Sequence, residues 1–306
     1  MTNRAGKFRA GFRILPSAVS GQRGVVLIAV LWICALIMWF ALQISAETRL
    51  QGEEQIQSIR KSQALYLAIG ASYEALARMG QPPPLSADEP PDLNWQPDGR
   101  PRLVEYGTGR ALVIIESEDQ KVNVNRSGQP QLKQVMERSG ADEVLAERLS
   151  DFIMDFIDQD DTTRMHGAEK DHYTRAGLNY VPFNGPLTSL DQLLLIPGLT
   201  HQLFYGYGRR TNEEAADQPD IIKEFLIPGK DSLFSLLTIY GNNVNLPLRS
   251  ETDQDLRPAI WRPGGIYRIL SFGMSGNGPP SAGIWLTVRF SPQEQNSYRV
   301  LNRKIM

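Results

Sequence analysis

The chain has 306 residues, 42% hydrophobic and 22% charged, enough to bury one large core or two modest ones. Its 32 Lys and Arg against 34 Asp and Glu leave a net charge of -2, so nucleic acid is not attracted by the molecule as a whole. One cysteine, Cys34, and three histidines exclude an internal disulfide framework and a Cys-rich zinc module, and the ordinary apolar content excludes general disorder.

The first element is the most sharply defined. Gly24 to Ala46 carries no formal charge, and a helix needs about 20 apolar residues to cross a bilayer core. Arg4, Lys7, Arg9, Arg13 and Arg23 precede the run with no acid among them, and Glu47 follows it. The positive-inside rule then places the start in the cytoplasm and the rest of the chain across the membrane. A cleaved secretory signal ending at Ile44-Ser45-Ala46 competes with this reading, but the run is longer than the ~7–15 residues of a signal's apolar core. A plain anchor fits as well. A buried soluble helix does not, because every face is apolar.

Past the span, Ile56, Ile59, Tyr66, Ile69, Tyr73 and Leu76 recur at helical spacing and predict an amphipathic continuation. One long helix is expected over 25–80, with its membrane half at about 25–46, Gly52 as a point for a bend, and Gly80 with Pro82-Pro83-Pro84 as the stop. Residues 81–101 hold seven prolines and read as a linker or ordered loop. Ala111–Ile115 reads as a strand running on toward Asn125. Leu132–Glu137, Val144–Ile157, Leu190–Ile196 and Ile221–Leu226 read as helices, and Leu236–Tyr240, Ile266–Leu270 and Ile284–Phe290 as strands. Long helix, strand, helical block and strands in that order argue an α+β fold with a large α-helical insertion in an antiparallel sheet. The divisions are 1–24, 25–80, 81–125 (linker and first strands), 126–230 (insertion) and 231–306 (closing strands). An imperfect echo, Lys121–Asn125 against Asn243–Pro247, brackets the insertion.

Two sets of residues carry a resemblance. Gln22-Arg23-Gly24 at the edge of the apolar run resembles a type IV prepilin-like signal, in which a membrane peptidase cuts after the glycine. The resemblance implies removal of residues 1–24, with Val25 as the methylated mature N-terminus. Most of that family has glutamate as the fifth mature residue, whereas this chain has Ala29. That departure, with ESEDQKVNVN, LSDFIMDFIDQDD, HGAEKDHY and NGPLTSLDQLLLIPGLTHQLFYG over about 116–206, resembles the minor pseudopilin family called general secretion pathway protein K, of type II secretion. The family implies a pseudopilin fold, a single-pass inner-membrane protein with a periplasmic domain, and no enzymatic activity. It implies a subunit that caps the pseudopilus tip and helps to start its assembly for export of folded proteins. Prepilin peptidase and proteins I, J and H would be partners, the latter meeting the stripe Ile56, Ile59, Tyr66, Ile69, Tyr73 and Leu76.

The helical block holds the chemistry. Asp151, Asp155, Asp158, Asp160, Asp161, Glu169 and Asp171 cluster within twenty-one residues. Asp158, Asp160 and Glu169 match positions 1, 3 and 12 of an EF-hand loop, but Thr162 and Thr163 occupy the places of a ligand and the turn glycine, so this is not an EF-hand. Clustered oxygens still suit a hard cation, and the resemblance allows calcium, with Asp158, Asp160, Asp161, Glu169 and Asp171 as ligands. The competing reading is a solvated acidic face with Arg164, Lys170 and Arg175 as counter-charges. No nucleophile elbow, phosphate loop or zinc spacing occurs. Leu193–Leu199 is similar to a helix-hairpin-helix, which keeps open a membrane-anchored DNA-uptake factor; a type IV minor pilin is the other membrane-anchored alternative. The net charge of -5 over 111–210 repels a polyanion and favours a packing role, with no nucleic acid as partner.

Overall fold

The apolar run and the residues after it form one helix, α1, Gln22–Met79, in a computed structural model that describes residues 22–79, 81, 94–206, 228–246, 259–276, 278, 280–291 and 297–305. The helix runs through Gly52 without a break. Its stop signals, most of the leader and the expected helix at Ile221–Leu226 lie outside the described residues. The chain divides into two compact units, Met1–Ser58 and Ile59–Met306. The first contains Val25–Ile44, a stretch of 20 residues long and apolar enough to cross a membrane, with its side chains exposed.

The second unit is built on a five-stranded antiparallel sheet of order β1-β2-β5-β6-β7. These strands are β1 Arg102–Tyr106, β2 Gly109–Ser117, β5 Ile266–Ser275, β6 Ala282–Phe290 and β7 Tyr298–Ile305. Strands β5 and β6 are buried almost throughout, which explains their near-continuous apolar sequence: a sheet covered on both faces has no solvent side to alternate with. On one face Ala111, Val113, Ile115, Ile269, Leu286 and Val288 pack against the last turns of α1. On the other, Leu112, Ile114, Leu270, Phe272 and Trp285 pack against the helical block.

The α1 face that meets the sheet is made of small residues. Ala64, Ala68, Ala71 and Ala75 are fully buried, with Leu67, Leu76 and Met79 beside them. Opposite them Gly273 is required on steric grounds: a Cβ there would lie 1.8 Å from the Ala64 carbonyl oxygen. The periodic large residues are therefore divided. Leu76 belongs to the molecule's own core, which corrects its assignment to a partner-facing stripe, whereas Ile56, Ile59, Tyr66 and Tyr73 are exposed and Ile69 is half-buried.

The insertion leaves the sheet after β2 and returns at β5. Among the described residues it comprises the 3₁₀ turn Glu118–Gln120, β3 Val122–Asn123, α2 Gln129–Arg138, α3 Glu143–Ile157 and α4 Lys170–Arg175, then the 3₁₀ helix Leu190–Leu195, α5 His201–Tyr205, α6 Leu233–Leu236 and β4 Leu237–Thr238. β4 departs from expectation by standing outside the main sheet, in a two-stranded parallel pair with β3. The two asparagine motifs meet at this base. Asn123 donates its backbone N–H to the Asn243 carbonyl at 2.7 Å and its side-chain amide to the Tyr240 and Gly241 carbonyls. Asn243 donates in turn to the Gln120 carbonyl. Beneath them Arg268 of β5 is fully buried, with Nε 2.5 Å from Glu118 Oε1 and its guanidinium donating to the Phe234 and Leu237 carbonyls. Burial opposes the charge on Glu118, but Arg268 and Lys121 hold its carboxyl below the ordinary value.

Candidate functional site

The acidic cluster forms where α3 ends. Asp142 caps the start of α3 by accepting the Leu145 N–H at 2.8 Å. Ala146, Leu149, Ile153 and Phe156 bury one face of the helix in the core. That register carries Asp151 and Asp155 inward as well, and Asp155 is fully buried. A buried carboxylate needs partners. They come from the loop that follows: Arg164 places Nη1 2.5 Å from both Asp155 Oδ1 and Asp158 Oδ2, and its backbone N–H donates to Asp155 Oδ2 at 3.1 Å. The His166 N–H donates to Asp151 Oδ2. The loop is pressed so close that a Cβ on Gly167 would lie 1.9 Å from Asp155 Oδ2.

Glu169 stands apart from these satisfied groups. It is 6% exposed, and neither carboxylate oxygen has a hydrogen-bond partner. Asp158 Oδ1 and the Tyr173 hydroxyl are also buried without one. Burial, then the charges of Asp155, Asp158, Asp161 and Asp160, push the Glu169 pKa from 4.5 up to about 7. Asp160 and Asp161 are exposed, and Asp160 lies below its ordinary value because it accepts the Thr162 N–H. Asp171 is exposed in the first turn of α4.

Of the five expected ligands the structure thus brings Asp158, Asp160 and Asp161 within electrostatic reach of Glu169, and places Asp171 on the exposed first turn of α4. The expectation missed Asp155, the most buried carboxylate of the set; its place at i+4 from Asp151 on an apolar helix face was the available signal. No three His, Cys, Asp or Glu side chains among the described residues already stand in a metal-holding group, and Arg164 serves as the internal cation. The donors nevertheless fit a hard cation in kind: all are carboxylate oxygens, and three buried ones are unused.

The hairpin-like stretch is built for packing. A capping box at Ser189 and Gln192 opens its 3₁₀ helix, and Gly198, at φ 91°, takes the left-handed turn. Thr200 caps α5, and Leu193, Ile196, Leu199, Leu203 and Phe204 are buried in the core.

Fold and site together define a class: an α+β protein with one apolar N-terminal helix, a wholly antiparallel main sheet and a helical block, bearing an acidic cluster, set between two strands of that sheet. Residues 110–207 match the family model of type II secretion system protein K. The chain is 26% identical over 196 residues to type II secretion system protein K of Klebsiella pneumoniae, covering 60% of each chain. It is 28% identical over 130 residues to the protein K of Dickeya chrysanthemi, covering 42% of this chain and 35% of that one. The match thus spans about 60% of the length of the Klebsiella relative. A solved chain from the GspK-GspI-GspJ complex of enterotoxigenic Escherichia coli superposes with a TM-score of 0.44 at 13% identity, covering 85% of this chain and 99% of that chain. The stretch that matches the family model overlaps the 116–206 motifs, which resemble the same family.

Proposed function

We propose that this chain is a minor pseudopilin that caps the tip of a type II secretion pseudopilus and helps to start its assembly. The observation that carries the reading is the protein K domain at 110–207, which spans β2 and most of an insertion packed on one whole face of the sheet. Such bulk on one face favours a terminal position over an internal one in a stack of subunits. In this reading the Val25–Ile44 span crosses the inner membrane with its basic end in the cytoplasm, and prepilin peptidase cuts after Gly24. Sister subunits I, J and H meet the exposed residues Ile56, Ile59, Tyr66 and Tyr73. Mass spectrometry of the native N-terminus tests it. A start at methylated Val25 is expected, and a start at Met1 or Glu47 in cells that secrete normally overturns it.

Calcium is the second element of the proposal, carried by the unpartnered oxygens of Glu169 and Asp158. A bound divalent cation would supply positive charge to an acidic cluster that holds one arginine, with Glu169 and Asp158 as inner ligands and Asp160 and Asp161 at the rim.

A further inference from the structure

The outer edge of the sheet at β7 has a charge and a shape that the packing of this chain does not use. Among the described residues β7 pairs only with β6, so one side of its backbone is unpaired over eight residues. The opposite edge differs. There β1 spans five residues, and its Arg102 is neutralised by Asp98 at 2.8 Å. Strand β7 holds three basic residues and no acid. Lys304 is paired with Asp191, but among the described residues Arg299 and Arg303 are in no ion pair, nor is the neighbouring Arg289 of β6. Arg289 and Arg299 are both exposed and stand directly opposite each other in the ladder, a like-charge pair that weakens a sheet. Val300, beside Arg299, and Ile305, beyond Arg303, are 44% and 56% exposed, and Tyr298 at the start of the strand packs at the margin of the α1 core.

We infer that the β7 edge is a docking site for an extended, acidic segment of another protein, which adds to the sheet as a further strand. The two guanidiniums on β7 and the one beside it supply bidentate donors for carboxylates. The unpaired N–H and C=O groups match only another polypeptide backbone, and Val300 and Ile305 offer apolar contacts at alternate positions of an added strand. A second copy of this edge is excluded as occupant, because it would bring arginine against arginine. A phosphate polymer would leave the backbone groups and the apolar side chains unmatched.

The probe is a synthetic eight-residue peptide of alternating valine and glutamate, added to the full chain in detergent micelles, with a valine–lysine peptide as control. The acidic peptide is expected to bind and to slow amide exchange in β7, whereas the basic one does neither. Arg299→Glu with Arg303→Glu is expected to weaken binding by about tenfold or more, while Arg299→Lys with Arg303→Lys keeps most of it. The melting temperature of each variant checks that the fold persists. Equal binding of both peptides, or acidic-peptide binding unmoved by charge reversal, overturns the inference. So does tighter capture of heparin or anionic vesicles without β7 protection. If reversal makes the chain self-associate and the wild type never binds the acidic peptide, the arginines only guard the edge.

Discussion

Glu169 shows how one side chain couples burial, charge and ligand. Its carboxyl is surrounded by four others and lacks a hydrogen bond, so ionising it costs free energy in the folded state. Because its folded pKa lies above the unfolded value, its contribution to stability is fully present below pH 4.5 and is lost as pH rises through about 7. Without divalent cation, the melting temperature should therefore fall across that window, and calcium should restore it at neutral pH. Glu169→Gln keeps the shape and removes the charge. The variant should flatten that part of the pH profile, raise the melting temperature at pH above 7 by a few degrees (~2–4 °C per kcal/mol at this size) and abolish the response to calcium. Calorimetric melts with calcium and with chelator read all three, and a calcium response that survives in the glutamine variant removes Glu169 from the site.

At the level of elements, α1 has two faces with different work, and they can be tested as a pair. Ile59, Tyr66 and Tyr73 fall at seven-residue intervals on the exposed side, the spacing of a helix-packing seam, whereas the alanines of the other side lie against β5. Tyr66→Ala with Tyr73→Ala should change stability by no more than about 1 kcal/mol and abolish co-purification with sister pseudopilins. Gly273→Ala should do the reverse of the first effect. Its new methyl meets a backbone carbonyl that cannot turn aside, so a loss of about 3 kcal/mol or more is expected by denaturant melt. Two stable tyrosine variants that still assemble would move the seam elsewhere. The same helix marks how far the sequence could be read. Large apolar residues at helical spacing were visible, but the packing face proved to be alanine, which leaves almost no hydrophobic signal. Strands β5 and β6 were legible because both faces are buried. By contrast, β1 and β7 were missed because edge strands such as RLVEY and YRVLNRKI need no apolar run. The acids of the site were legible as a cluster with Arg164, Lys170 and Arg175 as candidate counter-charges, but the choice of Arg164 as partner of Asp155 and Asp158 follows only from the loop folding back on α3.

For the whole molecule, the proposed tip position makes two demands: a block on one sheet face that hinders stacking, and a membrane end that does not pair with the subunit beyond it. The first fits the described parts of the insertion, 118–206 and 228–246, which pack over Leu112, Ile114, Leu270 and Trp285. The second depends on Ala29, which in the proposed orientation stands near the cytoplasmic end of the span, where the prepilin-like signals that the leader resembles mostly carry glutamate. An acid at the centre of a membrane helix costs about 2.5–3.5 kcal/mol on insertion scales, and less near the interface. Ala29→Glu should accordingly leave insertion and the folded domain intact, since that side chain is exposed on the span. What should change is placement. A carboxylate at this depth can pair with the terminal amine of a neighbouring subunit, so the variant should enter the filament at internal positions as well as the tip. Quantitative mass spectrometry of sheared pseudopili, together with gold labelling of their ends, reads the copy number and the location. A rise in copies per filament with loss of strict tip labelling is expected. Unchanged stoichiometry, unchanged tip labelling and normal export would mean that the missing carboxylate plays no part in where this subunit sits.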